Sequence, residues 1–421
     1  MNRMIKGFVF GLMLCGTLGA QTRLSGESAE AAIVRAPAYV FGISGAFVGI
    51  QRDFTINSLW YLSRVEGITP LLPPACSPRA TDCYWRVERI VYDLEEAMVF
   101  AVLPQKQGLI PEEMPEWQVV AFQLPEMSVA GHFPLPKCER PDLLLRPGHQ
   151  ELFVNYTLPR QPDQPDFETV VDIYDTHTLK KKNSIHEKTN LQKYTMAQAV
   201  VNASFHKAAF DRSGDVILSG LSRITFTDTR FQKEIVDPIE VLDEAERRKL
   251  EPFYRTQPVN NTRYLSRAIA DFSSGRALMV AESQDGAQMA MWTVNLENSK
   301  ASTVMVVPAG IAHLIGQGAR ILVEKTKPIP GSTAKSQKNE KLGSWVVYDT
   351  ATGKLVLQKE VAVARGLTLN NELTCVWPDG SRALFRHEAR LYGVVLSAAG
   401  PMQAIPAVFS TDPPLHCIFV P

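Results

Sequence analysis

The chain has 421 residues, of which 45% are hydrophobic and 21% are charged. This is the composition of a globular protein and excludes a disordered or fibrous chain. Lysine and arginine together number 44, and aspartate and glutamate also number 44, so the formal net charge is zero. The chain lacks the basic excess with which nucleic-acid proteins displace counterions, and it has no electrostatic reason to bind anionic lipid. We therefore expect no nucleic-acid partner.

The N-terminus has the three-part layout of a secretory signal peptide. Arg3 and Lys6 form a short positive region, residues 7–18 are apolar, and the small residues that follow suit a cleavage site. We predict a signal peptide at residues 1–20 and a polar N-terminal segment at 21–35. The protein is therefore expected to be exported, to the periplasm or the extracellular space.

A permanent membrane anchor is not expected. The apolar run at 7–18 is shorter than the roughly 20 residues that span a bilayer, and no later stretch is long and apolar enough. Cys15 stands in a context that loosely resembles a lipobox. However, Leu14 is bulky where a small residue precedes a lipidated cysteine. We expect neither a lipid anchor at Cys15 nor a transmembrane span in the mature chain.

The cysteines fit an oxidising compartment. Cys76 and Cys83 flank a proline-rich loop, and a disulfide between them would contribute roughly 2.5 kcal/mol by the chain-entropy argument. Cys138, Cys375 and Cys417 form an odd set, so one of them is unpaired or pairs with another chain. The sequence has no Cys-x-x-Cys, so zinc and thioredoxin-type chemistry have no support.

From residue 36 onward the chain reads as short strands bounded by Gly, Pro, Asp or Asn. One sequence pattern recurs every 40–55 residues or so, which is about the spacing of propeller blades. It opens with a turn and an apolar strand, and it ends with a strand that leads into an Asp or Asn turn. The clearest openings are at 210–218, 272–280 and 377–385, and the clearest endings are at 171–180 and 344–357.

The repeated sequence pattern has a physical explanation. Asp-Gly and Ser-Gly supply the positive φ of a tight hairpin, and Asp and Thr side chains can hold the backbone of the closing turn. One four-stranded sheet cannot bury both of its faces alone, so several must stack in a ring. We predict an all-β fold, a β-propeller of about seven four-stranded blades over residues 36–421. Strands at 39–62 and 417–420, from the two ends of the chain, are expected to close the ring.

Over most of the mature chain, these sequence patterns resemble the repeats of the YVTN and WD40-like family of bacterial β-propellers. The resemblance is at the level of the repeat, because the regular Gly-His and Trp-Asp pairs of true WD40 repeats are missing. Some YVTN relatives are lactonases, but none of their catalytic residues can be placed on a matching position here. Another all-β repeat, or two β-sandwiches, is the alternative interpretation of the strand pattern.

Two insertions are expected between strands. Asp237 and Pro238 suit the start of a helix, which we predict over 238–254 within an insertion near 238–255. The second insertion, near 325–342, is polar and proline-containing. Its five lysines are Lys325, Lys327, Lys335, Lys338 and Lys341. We interpret it as a solvated loop, with a contact surface for an acidic partner as the functional alternative.

No familiar catalytic or metal-binding spacing occurs in the chain. The eight histidines are scattered, without His-x-His or His-x-x-x-His pairs. Asp163, Asp166 and Glu168 lack the ligand spacing of a calcium loop and read as a solvated proline-rich loop. There is no Gly-x-Ser-x-Gly elbow and no phosphate-binding loop. We therefore predict no metal, no cofactor and no particular catalytic residue.

The functional hypothesis is an exported β-propeller that acts as a non-catalytic scaffold or binding module in the cell envelope. Its partner is expected to be another envelope protein. One alternative is a propeller enzyme of the lactonase or hydrolase type, with a site at the mouth of the central channel. A second alternative is a structural subunit of a periplasmic redox complex.

Overall fold

The structure is a computed structural model that describes the greater part of the chain from residue 38 onward. The described residues are 38–42, 46–61, 89–93, 96–106, 116–124, 128–159, 166–190, 208–257, 261–316, 318–328, 339–360, 371–377, 379–387, 390–396, 403–404 and 414–419. The predicted signal peptide, the polar segment at 21–35, and Cys76 and Cys83 lie outside these residues.

The described residues form six four-stranded sheets, one five-stranded sheet and one two-stranded hairpin. Sheet A contains β1 (Ala38–Gly42), β2 (Ala46–Ile50), β3 (Ile56–Tyr61) and β31 (Pro414–Phe419). Sheet B contains β4 (Arg89–Asp93), β5 (Met98–Lys106), β6 (Glu116–Gln123) and β7 (Ser128–Pro134). Sheet C contains β8 (Glu139–Arg146), β9 (Glu151–Thr157), β10 (Asp166–Asp175) and β11 (Lys181–Asn190). Sheet D contains β12 (Ala209–Phe210), β13 (Val216–Ser219), β14 (Ser222–Phe226) and β15 (Phe231–Ile235).

The second half of the chain continues in the same way. The hairpin consists of β16 (Tyr254–Thr256) and β17 (Arg263–Leu265). Sheet E contains β18 (Arg267–Ser273), β19 (Arg276–Glu282), β20 (Gln288–Asn295), β21 (Lys300–Ala301) and β22 (Met305–Pro308). Sheet F contains β23 (Gly310–Ile315), β24 (Arg320–Pro328), β25 (Asn339–Asp349) and β26 (Leu355–Glu360). Sheet G contains β27 (Asn371–Val376), β28 (Arg382–His387), β29 (Arg390–Val395) and β30 (Gln403–Ala404).

The sheets are of the up-and-down antiparallel kind. In sheets B, C, D, F and G the strands lie side by side in their chain order. The first strands of neighbouring sheets contact one another: β4 contacts β8, β8 contacts β12, and β18 contacts β23. Sheets built and packed in this way make a β-propeller. The predicted all-β propeller fold is therefore confirmed.

Sheets C to G are each apolar on both faces, because each contributes buried side chains to clusters with two neighbouring sheets. On β9, Val154 belongs to the buried cluster shared by sheets B and C. The adjacent Phe153 belongs to the cluster shared by sheets C and D, where it meets the rings of Phe210 and Phe226, each with its centroid 5.2 Å away. Successive side chains of a strand point to opposite faces, so a run of buried residues indicates burial on both sides.

The predicted turn chemistry is present. The Oδ1 atom of Asp175 accepts hydrogen bonds from the backbone N–H of Thr178 at 2.8 Å and from its hydroxyl at 2.9 Å. Asp349 accepts the same pair from Thr352, both at 2.8 Å. Gly380 lies in the hairpin between β27 and β28 with φ +68°, a conformation that side chains with a Cβ rarely adopt.

The two ends of the described chain meet in sheet A. The C-terminal strand β31 pairs with β1, with Tyr39 opposite Ile418. A disulfide joins Cys417 on β31 to Cys375 on β27, with their Cα atoms 5.8 Å apart. Cys138 is buried as a free thiol, and burial raises its pKa to about 12. This agrees with the expectation that one of the three later cysteines is unpaired.

The helix predicted over 238–254 is shorter than expected. The helix α1 is Glu244–Lys249, and a short 3-10 helix, Glu251–Phe253, follows it. Asp243 caps α1 by accepting the N–H of Glu246 at 2.8 Å. The carbonyl of Pro238 instead accepts the indole N–H of Trp292 at 2.9 Å, so it is bonded to sheet E rather than to a helical N–H. In the described residues no helix has the length and apolarity needed to cross a membrane.

The insertion that carries α1 packs on the outer edge of sheet E. There β21 and β22 lie end to end along β20 and pair with different parts of it. The carboxylate of Glu246 accepts the backbone N–H of Val304, between these two strands, at 2.5 Å. The insertion therefore supplies a hydrogen-bond partner where the outer strand is interrupted.

We expect the double replacement of Cys375 and Cys417 by alanine to lower the free energy of unfolding. The bond joins residues 42 positions apart. Chain entropy assigns about 4 kcal/mol to a loop of that size. Denaturant unfolding without reductant measures the difference. The Cys138→Val variant, which keeps the disulfide, serves as a control. Reductant should still lower its free energy of unfolding. A double variant with wild-type stability would contradict a stabilising role for the bond.

Candidate functional site

A cleft opens between sheets C and D where β8 ends. Its volume is about 410 Å³, which is within the range of small-molecule pockets. Its lining includes Arg146, Glu151, Lys182, Phe226, Thr227 and Asp228. The lining thus combines two cations, two carboxylates, an aromatic ring and a hydroxyl group. Such a surface can bind a polar ligand or the polar side chains of a partner protein.

Arg146 connects the two sheets at the base of the cleft. It is the last residue of β8, and its guanidinium lies over the ring of Phe226, 5.1 Å from the ring centroid. Its Nε donates to the carbonyl of Gly214 at 2.6 Å, and Nη2 donates to Asp215 at 3.0 Å. Both acceptors lie in the β12–β13 turn of sheet D. Arg146 therefore ties the end of one sheet to the first turn of the next.

Glu151 lies between the two cations of the cleft. Its carboxylate accepts from Arg146 at 2.9 Å and lies 2.9 Å from the ammonium of Lys182. Burial raises its pKa, but the hydrogen bonds and charges of Arg146 and Lys182 outweigh burial, so the pKa of Glu151 lies below the ordinary value. The side chain of Lys182 lines the cleft and remains 43% exposed.

A second polar cluster lies on the opposite face of sheet C, around the buried carboxylate of Asp172. Asp172 is 1% exposed. It accepts hydrogen bonds from the hydroxyls of Tyr156 at 2.9 Å, Tyr174 at 3.4 Å and Ser184 at 2.6 Å. The ammonium of Lys181 lies 3.3 Å away. Burial, and then the charge of Asp172, raises the pKa of both tyrosines. The buried charge is thus compensated by several donors, as its burial requires.

A chain of contacts connects the protein surface with Asp172. It consists of the Glu168 carboxylate, the His186 imidazole and the Ser184 hydroxyl. Nδ1 of His186 lies 2.6 Å from Oε1 of Glu168, and Nε2 lies 3.0 Å from Oγ of Ser184. The His186 side chain is 52% exposed, so solvent reaches this chain of contacts. The same order of groups activates a hydroxyl in enzymes that form covalent intermediates.

The first strands of the sheets are where the alternative hypothesis places an enzyme site. There Arg89 on β4 forms an ion pair with Asp142 on β8, with 2.6 Å between Nε and Oδ1. Ile269 on β18 is 44% exposed and Ile311 on β23 is 41% exposed. In the described part of these first strands, the side chains thus include a paired charge and exposed aliphatic groups.

Three of the five lysines predicted for partner contact lie on strands of sheet F, which is not one of the two sheets that form the cleft. Lys325 and Lys327 lie on β24, and Lys341 lies on β25. These strands continue to pair as far as Pro328 opposite Asn339. Part of the expected loop at 325–342 is therefore an extended hairpin. Lys335 and Lys338, like Cys76 and Cys83, lie outside the described residues.

Sequence reasoning missed both polar clusters. It placed Asp166 and Glu168 in a loop, whereas β10 begins at Asp166, so Glu168 lies on a strand. Ser184 and His186 are two residues apart on a strand, a spacing that puts both side chains on one face. That alternation was visible in the sequence. The partners Glu168 and Asp172 follow only from the pairing of β10 with β11.

No group of histidine, cysteine, aspartate and glutamate side chains suited to a metal ion occurs among the described residues. The polar clusters are instead completed by hydrogen bonds and ion pairs within the chain.

Neither a family model nor a curated protein sequence matches the chain. It is similar to solved structures of low sequence identity. Hydrazine synthase of Kuenenia stuttgartiensis is 9% identical, with 82% of this chain and 90% of that chain covered and a TM-score of 0.40. The periplasmic gluconolactonase of Pseudomonas aeruginosa is 13% identical, with 91% and 96% covered and a TM-score of 0.40. The β-propeller domain of Cps50 (Swd1) from Myceliophteria thermophila is 10% identical, with 82% and 89% covered and a TM-score of 0.40. Similarities this weak carry no argument about function.

The Glu151→Gln substitution is expected to lower the free energy of unfolding at pH 7 by about 1–2 kcal/mol, because two charge-assisted hydrogen bonds are weakened. The pKa of Glu151 is depressed in the folded state. The stabilisation is therefore fully present above the unfolded value of about 4.3 and is lost as the pH falls through the folded value. Urea unfolding at several pH values should show the variant and the wild type converging as the pH falls through the depressed pKa of Glu151.

Glu297→Gln, on an exposed turn, is the matched control and should leave stability unchanged at each pH. A Glu151→Gln deficit that persists undiminished at low pH would show that the carboxylate charge is not the cause.

Proposed function

We propose that the protein is an exported β-propeller whose main function is to bind a partner protein, and that the cleft between sheets C and D is a principal contact. The observation that carries this proposal is the cleft itself, about 410 Å³ in volume and lined by charged, hydroxyl and aromatic side chains. The side chain of Lys182 is 43% exposed, and the exposed Thr227 and Asp228 belong to the same lining. A polar segment with complementary charges can be held between them.

We also infer that seven blades form the ring. The supporting observation is that β21 and β22 share one edge of β20, so sheet E has the width of the four-stranded sheets. Sheet A is then the blade that closes the ring, with β31 innermost beside β27 and β1 next to it. A propeller closed by strands from both ends resists opening, because its last blade cannot separate without breaking β1–β31 hydrogen bonds.

Export is supported by the signal-peptide pattern at residues 1–20 and by the disulfide between Cys375 and Cys417. Structural disulfides persist in oxidising compartments and are rare in the cytosol of most organisms. The proposed partner is accordingly another envelope protein. The lysine-bearing hairpin of β24 and β25 is a second proposed contact surface, suited to an acidic partner.

A photo-crosslinking amino acid at Thr227, in cells that produce the protein naturally, should capture one main envelope protein. The reason is that Thr227 lines the cleft and is exposed. Mass spectrometry of the crosslinked product identifies the partner. The Lys182→Glu substitution should reduce the yield at least tenfold by reversing a cleft charge.

Two further crosslinker positions complete this experiment. Glu244, 80% exposed on α1, is the negative control and should give none of the product. Lys325 tests the hairpin of β24 and β25. Capture from Lys325 alone would move the contact to the hairpin, and equal capture from Thr227 and Glu244 would contradict specific binding at the cleft.

A further inference from the structure

Ser184, His186 and Glu168 make a chain of contacts in the order that nucleophilic catalysis requires. The hydroxyl of Ser184 lies 3.0 Å from Nε2 of the imidazole, and the other ring nitrogen, Nδ1, lies 2.6 Å from the Glu168 carboxylate. A nucleophile within hydrogen-bond reach of a base, with the base oriented by a third group, is the geometric signature of an activated hydroxyl.

The backbone places these groups without strain. Ser184 and His186 stand opposite Asp172 and Val170 in the pairing of β11 with β10. Glu168 is two residues before Val170, so all the side chains involved share the face of sheet C that looks toward sheet B. The outer position of β11 in its sheet leaves His186 half exposed. A substrate can therefore approach from solvent, while the strands hold the three groups in place.

We propose that Ser184 is a nucleophile toward acyl esters, with His186 as its general base and Glu168 as the residue that positions the imidazole. The activity lies on the face of β11 opposite Asn183, which lines the cleft between sheets C and D. It is separate from the proposed partner binding and does not depend on it.

Asp172 defines the resting arrangement of the serine. The Ser184 hydroxyl donates to Asp172 at 2.6 Å, and its Oγ also lies 3.0 Å from Nε2 of His186. In the proposed reaction the serine hydroxyl turns from Asp172 to Nε2 of His186. Asp172 then keeps Tyr156, Tyr174 and Lys181 as donors. The buried carboxylate therefore remains compensated while the serine reacts.

The reaction balances with water as the second reactant. Oγ of Ser184 forms a bond to the acyl carbon, and its proton passes to Nε2 of His186, which becomes a cation beside Glu168. The ester C–O bond then breaks, and His186 returns the proton to the leaving alcohol. Water attacks the acyl-serine, again giving a proton to His186. The acid is released, and the proton returns to Oγ.

A biotin-tagged alkyl fluorophosphonate tests this proposal on the purified full chain. Oγ of Ser184 forms the phosphorus–oxygen bond as the phosphorus–fluorine bond breaks, and fluoride and the serine proton leave. We expect peptide mapping to find the label on Ser184. The His186→Gln variant should react about 100-fold more slowly, the lower range of what a positioned general base contributes. His186 is exposed, so this variant is expected to keep the fold.

Four further variants give the test its controls. Ser184→Ala should lose the label, whereas Ser213→Ala should keep it, because Ser213 also contacts a carboxylate, Asp211, at 2.8 Å. Glu168→Gln should slow labelling, and Glu168→Asp should recover part of the rate while the thermal midpoint stays the same. Three results would overturn the proposal: label on other residues only, an unchanged rate in His186→Gln, or a rate no faster than that of heat-unfolded protein.

Discussion

In the proposed ring, the pairing of β1 with β31 is the interaction on which the other sheets depend. Sheets C to G each pack an apolar face against both neighbours, and a row of sheets that did not close would leave two faces in water. Sheet A takes strands from both ends of the described chain, and the Cys375–Cys417 disulfide ties β31 to the sheet before it. In the proposed ring, this junction removes the two exposed faces.

Neighbouring sheets are also joined at the surface, by contacts that involve their turns. Arg146 reaches the β12–β13 turn of sheet D, and Arg52 of sheet A lies 2.6 Å from Asp379 in the β27–β28 turn of sheet G. The packing of buried apolar side chains sets how closely two sheets approach. The charged side chains fill the wedge-shaped space between two sheets at the surface. The cleft between sheets C and D is such a wedge, left open beside Lys182. The proposed binding site is thus a consequence of how the sheets are arranged.

The local chemistry of the turns was predictable from the sequence, whereas the partners of side chains far apart in the chain were not. Asp175 and Asp349 each stabilise a turn by accepting hydrogen bonds from a threonine three residues later. Their role can therefore be predicted from a short segment of sequence. The bond between Cys375 and Cys417 and the contact of Arg146 with Asp215 join residues far apart in the chain. Their partners follow only from the order of the sheets. The Ser184 cluster lies between these cases, since its alternation is local but its carboxylates come from another strand.

Hydrogen exchange in β1 tests most directly whether the terminal strands hold the ring together. The comparison is between the full chain and a chain that ends at residue 413 and therefore lacks β31. Amides of residues 38–42 should be protected in the full chain and should exchange at least tenfold faster in the shortened one, with β27 and its neighbours also losing protection. Unchanged protection of residues 38–42 after removal of β31 would contradict ring closure by the terminal strands.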